Sequence, residues 1–236
     1  MLTQIFKTMT LMALLAFPIA VILTRYDIVH FRLAFLLIAI GVVIAVIVVF
    51  LGFVIGFVKS GPYVGTLRMC ALISLVPIAF MGLQFYQATS VPSIHNISTD
   101  IETPPEFDAV LSLRGAEANP VTPADDQVAR LQRAAYPDIK PLRLDATQDE
   151  IYAASLKVAN DLGWEVVSAD SERGHIEAVD TTRLWRFKDD VAIRIRDEDL
   201  YRQLDIRSVS RVGKSDLGAN AKRIRKFITA LQANLD

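Results

Sequence analysis

The chain has 236 residues, a formal net charge of -1, 52% hydrophobic residues and 22% charged ones. Composition this apolar excludes a disordered chain, which lacks the apolar residues to build a core. One cysteine excludes a disulfide scaffold, and the balanced charge argues against a nucleic-acid binder.

The apolar residues gather at the N-terminus. Residues 1–86 hold five basic residues (Lys7, Arg25, Arg32, Lys59, Arg68) and one acidic residue, Asp27, which leaves 20 basic and 25 acidic residues in the remainder. Three apolar runs follow in order: Thr8 to Thr24 with Pro18 inside, Leu33 to Val58 without a charge over 26 residues, and Met69 to Phe85 with Pro77 inside. A bilayer core of about 30 Å takes about 20 helical residues. The second run exceeds that length, and the first and third reach its short end. All three read as membrane spans, which must be helical because hydrocarbon offers no partner to a free N–H or C=O. The first run lacks a small-x-small cleavage pattern near Thr24 and reads as an uncleaved helix rather than a signal peptide. Gly52 and Gly56 form a small-xxx-small pattern that lets another helix approach closely, although glycine is common in such helices without a specific partner. Cys70 falls in the third span and carries no redox information.

Orientation follows from the basic residues. A cytoplasmic N-terminus puts Lys7, Lys59 and Arg68 inside, and Tyr86 to Phe107 contains no Lys or Arg, as suits a translocated segment. The expectation is a bacterial inner-membrane protein with a periplasmic soluble domain.

Seven of the ten prolines lie between Pro92 and Pro141, so residues 87–146 read as an extended proline-rich arm with a short helix near Pro123–Ala135. The pattern sharpens from Thr147. Thr147-Gln148-Asp149-Glu150 is a capping-box signature, and Ile151, Ser155, Val158, Ala159 and Leu162 follow at helical spacing before Gly163. Four strands are predicted: Trp164 to Ser168, His175 to Asp180, Trp185 to Ile195, and Tyr201 to Val209. A final amphipathic helix carries Ala221, Ile224, Phe227, Ile228 and Leu231 on one face, with Lys222, Arg223, Arg225 and Lys226 on the rest. The fold class is three N-terminal transmembrane helices followed by an α+β domain. Its core, 147–236, is a four-stranded antiparallel sheet with helices on one face. The other face is left to solvent, a ligand or the arm.

Four stretches are dense in particular polar residues: Ile94 to Asp100 with Pro104 to Phe107, Ala135 to Ile139, Phe187 to Val191, and Asp205 to Ile224. On these residues the sequence resembles the bacterial DUF1499 family, domains of unknown function. The family pattern has a His-Asn/Asp-Ile-Ser-Thr-Asp start, an Ala-Tyr-Pro-Asp segment, a Phe-x-Asp-Asp segment, and an Arg-Ser-x-Ser-Arg-Val-Gly-x-Ser-Asp-Leu-Gly-x-Asn ending. All four stand here in that order, over roughly residues 90–232. The resemblance implies a domain boundary and, in many members, membrane helices. It implies no reaction.

Several roles stay open for these stretches. Arg207, Ser208, Ser210, Arg211 and Ser215, with Arg194, have the composition of an anion site: arginine forks beside a glycine-containing turn before a helix. The bland alternative pairs Arg207 with Asp205, Glu177 or Asp189 across the sheet. His95, Asp100, Asp189, Asp190 and Asp216 form a second polar group. Asp189 and Asp190 offer hard-cation oxygens or merely a charged strand start, and Asp216 is alternatively a helix cap. Glu177, Arg194, Asp205 and Arg207 fall on one face of an ideal sheet. No Walker order, nucleophile elbow or zinc spacing is present, so no catalytic residue, metal or cofactor is assigned. The expected role is binding, to a membrane or periplasmic protein partner or to a small anionic or lipid ligand, with the bilayer as anchor and no nucleic acid. The alternatives are an enzyme using the Asp/Arg cluster and a structural subunit of a membrane complex.

Overall fold

A computed structural model of the chain describes residues 1–235. The chain divides into two compact units, Met1–Thr89 with Arg183–Arg186, and Ser90–Thr182 with the chain from Phe187 onward.

The first unit contains α1 (Leu2–Arg25), α2 (Phe31–Val58) and α3 (Pro62–Thr89), three helices long and apolar enough to cross a membrane. Small residues set their packing. Ala13, Ala16 and Ala20 of α1 are buried, as are Ala34, Gly41 and Ala45 of α2. A Cβ at Gly41 would stand 2.4 Å from the Ala16 Cβ, and one at Gly52 would stand 2.9 Å from the Ala71 Cβ of α3. Gly56 meets Arg68, whose guanidinium donates to the Gly56 carbonyl at 2.6 Å and satisfies one of the orphan carbonyls at the end of α2. The Gly52/Gly56 pair therefore packs against a helix of its own chain. Within a bilayer, apolar helices gain nothing from burial away from hydrocarbon, and close contact at seams of this kind is what holds them together there. Gly41→Val is expected to cost about 1–3 kcal/mol by overpacking. The check is a lower thermal unfolding midpoint of the full chain in detergent than for Val43→Ala, a change at an exposed position of the same helix.

The second unit is built on a six-stranded antiparallel sheet of β1 (Asn96–Ser98), β2 (Leu142–Leu144), β3 (Glu165–Asp170), β4 (His175–Thr181), β5 (Lys188–Glu198) and β6 (Tyr201–Ser210). The order is β1-β6-β5-β4-β3, and β2 also pairs with β6. The expected four strands are β3 to β6. The two additional strands come from the arm and share one edge of β6, β1 opposite Arg207 to Val209 and β2 opposite Arg202 to Leu204. The expected third strand begins three residues later than its aromatic residues suggested. Arg186 has φ +55 and lies in the turn, so pairing starts at Lys188.

Around the sheet lie α4 (Asp126–Ala135), α5 (Gln148–Asp161), α6 (Ala219–Leu235) and a 3-10 turn, Ala109–Leu113. Helix α5 starts in a complete capping box, Thr147 with Glu150, and the chain leaves it through Gly163 at φ +79. Successive strand residues project to opposite faces. Ile176, Ala178, Val191, Ile193, Leu204 and Ile206 form one cluster with Ile151 and Val158 of α5 and Ile224, Phe227 and Leu231 of α6. Trp164 stacks on Phe227 with ring centroids 5.6 Å apart. The alternate residues Val179, Ala192 and Val209 form a second cluster with Phe107 and Val110 of the arm. Of the three possible covers for this face, the arm is the one seen. The face also carries Glu177, Asp205 and Arg207, all buried.

Candidate functional site

Strand alternation sorts the polar residues singled out by sequence into two networks. Arg194, Asp205, Arg207, Asp190 and Arg211 lie on the arm side of the sheet, while Asp189, Ser208 and Ser210 lie on the other. Asp189 and Asp190 are neighbours in sequence and point apart, so they do not form a joint cation site. Among the described residues no group of three or more His, Cys, Asp or Glu side chains is placed to hold a metal.

On the α6 side, Arg223 is the hub. Its guanidinium bonds Asp189 at 2.5 Å, Asp180 at 2.6 Å and the Ser208 hydroxyl at 3.0 Å. Asn220 accepts from Ser208 at 2.7 Å and donates to Ser210 at 3.0 Å and to the His95 carbonyl at 3.0 Å. The sequence placed Arg223 on the solvated face of the final helix. It is buried there, because two strand carboxylates need a cation. Burial pushes the Asp189 carboxyl above its ordinary pKa although Arg223 opposes the shift. Asp216 caps α6, accepting from the Gly218 and Asn220 amides at 2.8 Å each, and burial likewise raises its pKa. Ser215 accepts from the Leu217 amide at 3.3 Å within the same turn. The Ala-Tyr-Pro-Asp segment joins α6 through Asp138, which takes Arg225 at 2.5 and 2.7 Å, with that guanidinium 5.3 Å over the Tyr136 ring.

On the arm side, sheet side chains grip arm backbone. Glu177 accepts from the amides of Asp108, Ala109 and Val110 at 3.0–3.1 Å, so an internal carboxylate fills the amide-lined mouth of the 3-10 turn. Arg207 makes none of the three carboxylate pairs considered from sequence. Its donors go to the Asn96 side chain at 3.1 Å and to the carbonyls of Pro105, Val121 and Thr122 at 3.0, 2.6 and 3.0 Å. With 2% exposure, its pKa is lowered to about 10 by desolvation. Arg211 pairs with Asp190 at 2.6 Å and donates to the Leu113 carbonyl at 2.8 Å, and Arg114 bonds the same aspartate. Arg114 gave no sequence signal, since it lies in irregular chain between two glycine- and proline-bearing stretches.

Asp100 closes a turn, accepting from the Glu102 and Thr103 amides, and meets Arg194 at 3.2 Å and Arg196 at 2.9 Å, which share Asp205. Burial pushes its carboxyl up, but the Thr103 bonds and the two guanidiniums outweigh burial and hold the pKa below the ordinary 3.8. The native state then binds fewer protons than the unfolded state in the window just below 3.8. Stability from Asp100 is present above that window and is lost as pH falls through it. Acid titration of the full chain should show a shallower loss of stability in the Asp100→Asn variant.

Between arm and sheet an open cleft of about 730 Å³ remains. Its sheet side is His175, Arg194 and Arg207 with Arg173 of the β3–β4 turn, and its arm side includes Glu106, Phe107, Asp108 and Val121. His175 is 3.1 Å from the Glu106 carbonyl, and the Arg207 guanidinium lies 5.1 Å over the Phe107 ring. The volume falls within the range of small-molecule sites. Of the anion-site residues named from sequence, Arg194 and Arg207 line this cleft. Ser208 and Ser210 lie on the opposite face, Arg211 serves Asp190, and Ser215 serves its own turn.

No curated protein matches the chain. A family model described as "Protein of unknown function (DUF1499)" matches residues 96–231, a span that holds the side chains of both networks and the cleft, and the chain belongs to the DUF1499 family.

Proposed function

We propose that the chain is a membrane-anchored binding protein of the bacterial envelope. Its helices span the inner membrane, its sheet domain lies on the periplasmic side, and the cleft takes a small charged ligand. In this reading α5 and α6 back one face of the sheet and leave the other to the arm and the ligand.

The observation that carries the proposal is the cleft itself. Its walls are fixed to each other by bonds from Glu177, Arg207, Arg194 and His175 to arm backbone, so the concavity is preformed. Preformed concavity lowers the ordering cost of binding. Binding is favoured over catalysis on the Asp/Arg cluster because those carboxylates are already engaged. Asp189 holds Arg223, Asp190 holds Arg211, and Asp205 holds Arg194 and Arg196. Sidedness rests on the run without Lys or Arg from Tyr86 to Phe107.

The test is native mass spectrometry of the full chain released from nanodiscs after gentle purification. The expected result is a retained species of defined small mass that is lost on Phe107→Arg, a change in the cleft lining. A clean apo mass, or a stoichiometric protein partner unaffected by Phe107→Arg, overturns the cleft reading. For sidedness, a Lys222→Cys, Cys70→Ala chain should react with an impermeant maleimide in cells with a permeabilised outer membrane. Protection until the inner membrane is lysed would place the domain in the cytoplasm.

A further inference from the structure

We infer that the cleft is matched to a zwitterion, a small molecule or headgroup joining an ammonium to a phosphate or carboxylate. This rests on the cleft being a binding site and names what it binds.

What points to a zwitterion is that one cleft is lined by charges of both signs. The arm wall presents Glu106 and Asp108, both exposed. The sheet wall presents Arg173, exposed on the β3–β4 turn, together with Arg194 and the buried Arg207. Among the described residues none of the Glu106, Asp108 and Arg173 side chains is tied up in a hydrogen bond or ion pair, whereas Arg194 and Arg207 in the same cleft are bonded to arm and sheet acceptors. Burial and the like charge of Arg114 lower the Arg207 pKa, and the Glu106 carboxylate of the arm wall acts against them. Arg207 itself spends its donors on carbonyls and Asn96, and no carboxylate neutralises it by direct contact.

A simple anion drawn to Arg173 would also meet Glu106 and Asp108, which line the same cleft. A simple cation drawn to those acids would face Arg173 and Arg194. Juxtaposed like charges penalise the wrong partner as effectively as opposite charges reward the right one. A ligand carrying both signs satisfies both walls and avoids both penalties. Between the walls Phe107 and Val121 supply apolar surface, which suits a short methylene link between the two charged ends.

The test is calorimetric titration of the full chain in a neutral detergent with four probes: phosphoethanolamine, β-alanine, glycerol 3-phosphate and ethanolamine. At least one of the two zwitterions should bind about tenfold more tightly than either single-charge probe. The Glu106→Gln, Asp108→Asn variant should lose that margin while holding glycerol 3-phosphate at least as well as before. Arg173→Gln should weaken the zwitterion and glycerol 3-phosphate together. These three positions are exposed, so their variants should fold. Repeating the titration in nanodiscs separates a lipid source from a free one. Weaker phosphoethanolamine binding in phosphatidylethanolamine discs than in phosphatidylglycerol discs points to the headgroup, and equal binding points to a free solute. Equal affinity for glycerol 3-phosphate and the zwitterions, a margin indifferent to Glu106→Gln, Asp108→Asn, or no binding of any probe overturns the assignment. In the last case a retained small mass that Phe107→Arg removes would still leave the cleft a binding site for another ligand class.

Discussion

Arg207→Ala should release the arm from the sheet. The guanidinium joins four acceptors, three of them main-chain carbonyls drawn from two separate arm segments, around Pro105 and around Val121 to Thr122. Removal takes the Arg207 donor from the Pro105 and Val121 carbonyls and the Asn96 side-chain oxygen, while the Thr122 carbonyl keeps the Asn96 amide at 3.0 Å, and each unsatisfied buried group costs about 1–3 kcal/mol. Two effects reduce the sum. Water entering from the cleft can serve some of the acceptors, and the desolvation of a cation without a carboxylate partner disappears along with the charge. The net loss is expected at about 2–4 kcal/mol. Arg207→Met separates the causes. Methionine keeps the apolar stem on Phe107 yet restores no donor, so it should lose nearly as much as alanine if hydrogen bonds dominate and little if packing does. Arg207→Lys should recover only a fraction, since one ammonium cannot reach both arm segments. Hydrogen exchange of the full chain in detergent reads the effect. Amides of residues 104–123 should exchange faster in the alanine and methionine variants, and those of α1 to α3 should not change.

The arm shows where sequence reasoning runs out. Helix α5 and strands β3 to β6 were legible because each repeats its period several times, and Thr147 and Gly163 mark the ends of α5. Strands β1 and β2 have three residues each, too few for alternation to register, and they exist only because β6 offers them an edge. The family stretches were visible as polar density, but their partners were not. Asn96 meets Arg207, Asp189 meets Arg223 and Asp138 meets Arg225 across separations set by tertiary packing. Period two alone would have divided Asp189 from Asp190 and Arg207 from Ser208. It could not have supplied Arg114, whose place on Asp190 depends on an irregular segment held by Glu177. The cleft escaped sequence reading for the same reason: Arg173, Glu106 and Asp108 are ordinary surface charges until the arm folds over the sheet.

Asp190→Asn should be the most damaging single change in the sheet domain. The Asp190 carboxylate is fully buried and is shared by Arg211 and Arg114, both largely buried themselves. Asparagine keeps the shape and one acceptor oxygen, so the substitution isolates the charge. It leaves two guanidiniums side by side without an anion, and burial already lowers the Arg114 pKa with Asp190 in place. Breaking a buried pair from one side costs about 3–5 kcal/mol, because the charge left behind stays desolvated. The pairing predicts a specific rescue. In the Asp190→Asn background, Arg114→Gln removes one of the two stranded cations and should return part of the stability, although Arg114→Gln alone in the native protein should be destabilising. That reversal of sign is a coupling which simple loss of packing would not produce. Denaturant unfolding of the four chains of this cycle measures it directly. Additive losses would mean that solvent, rather than Asp190, already screens Arg114.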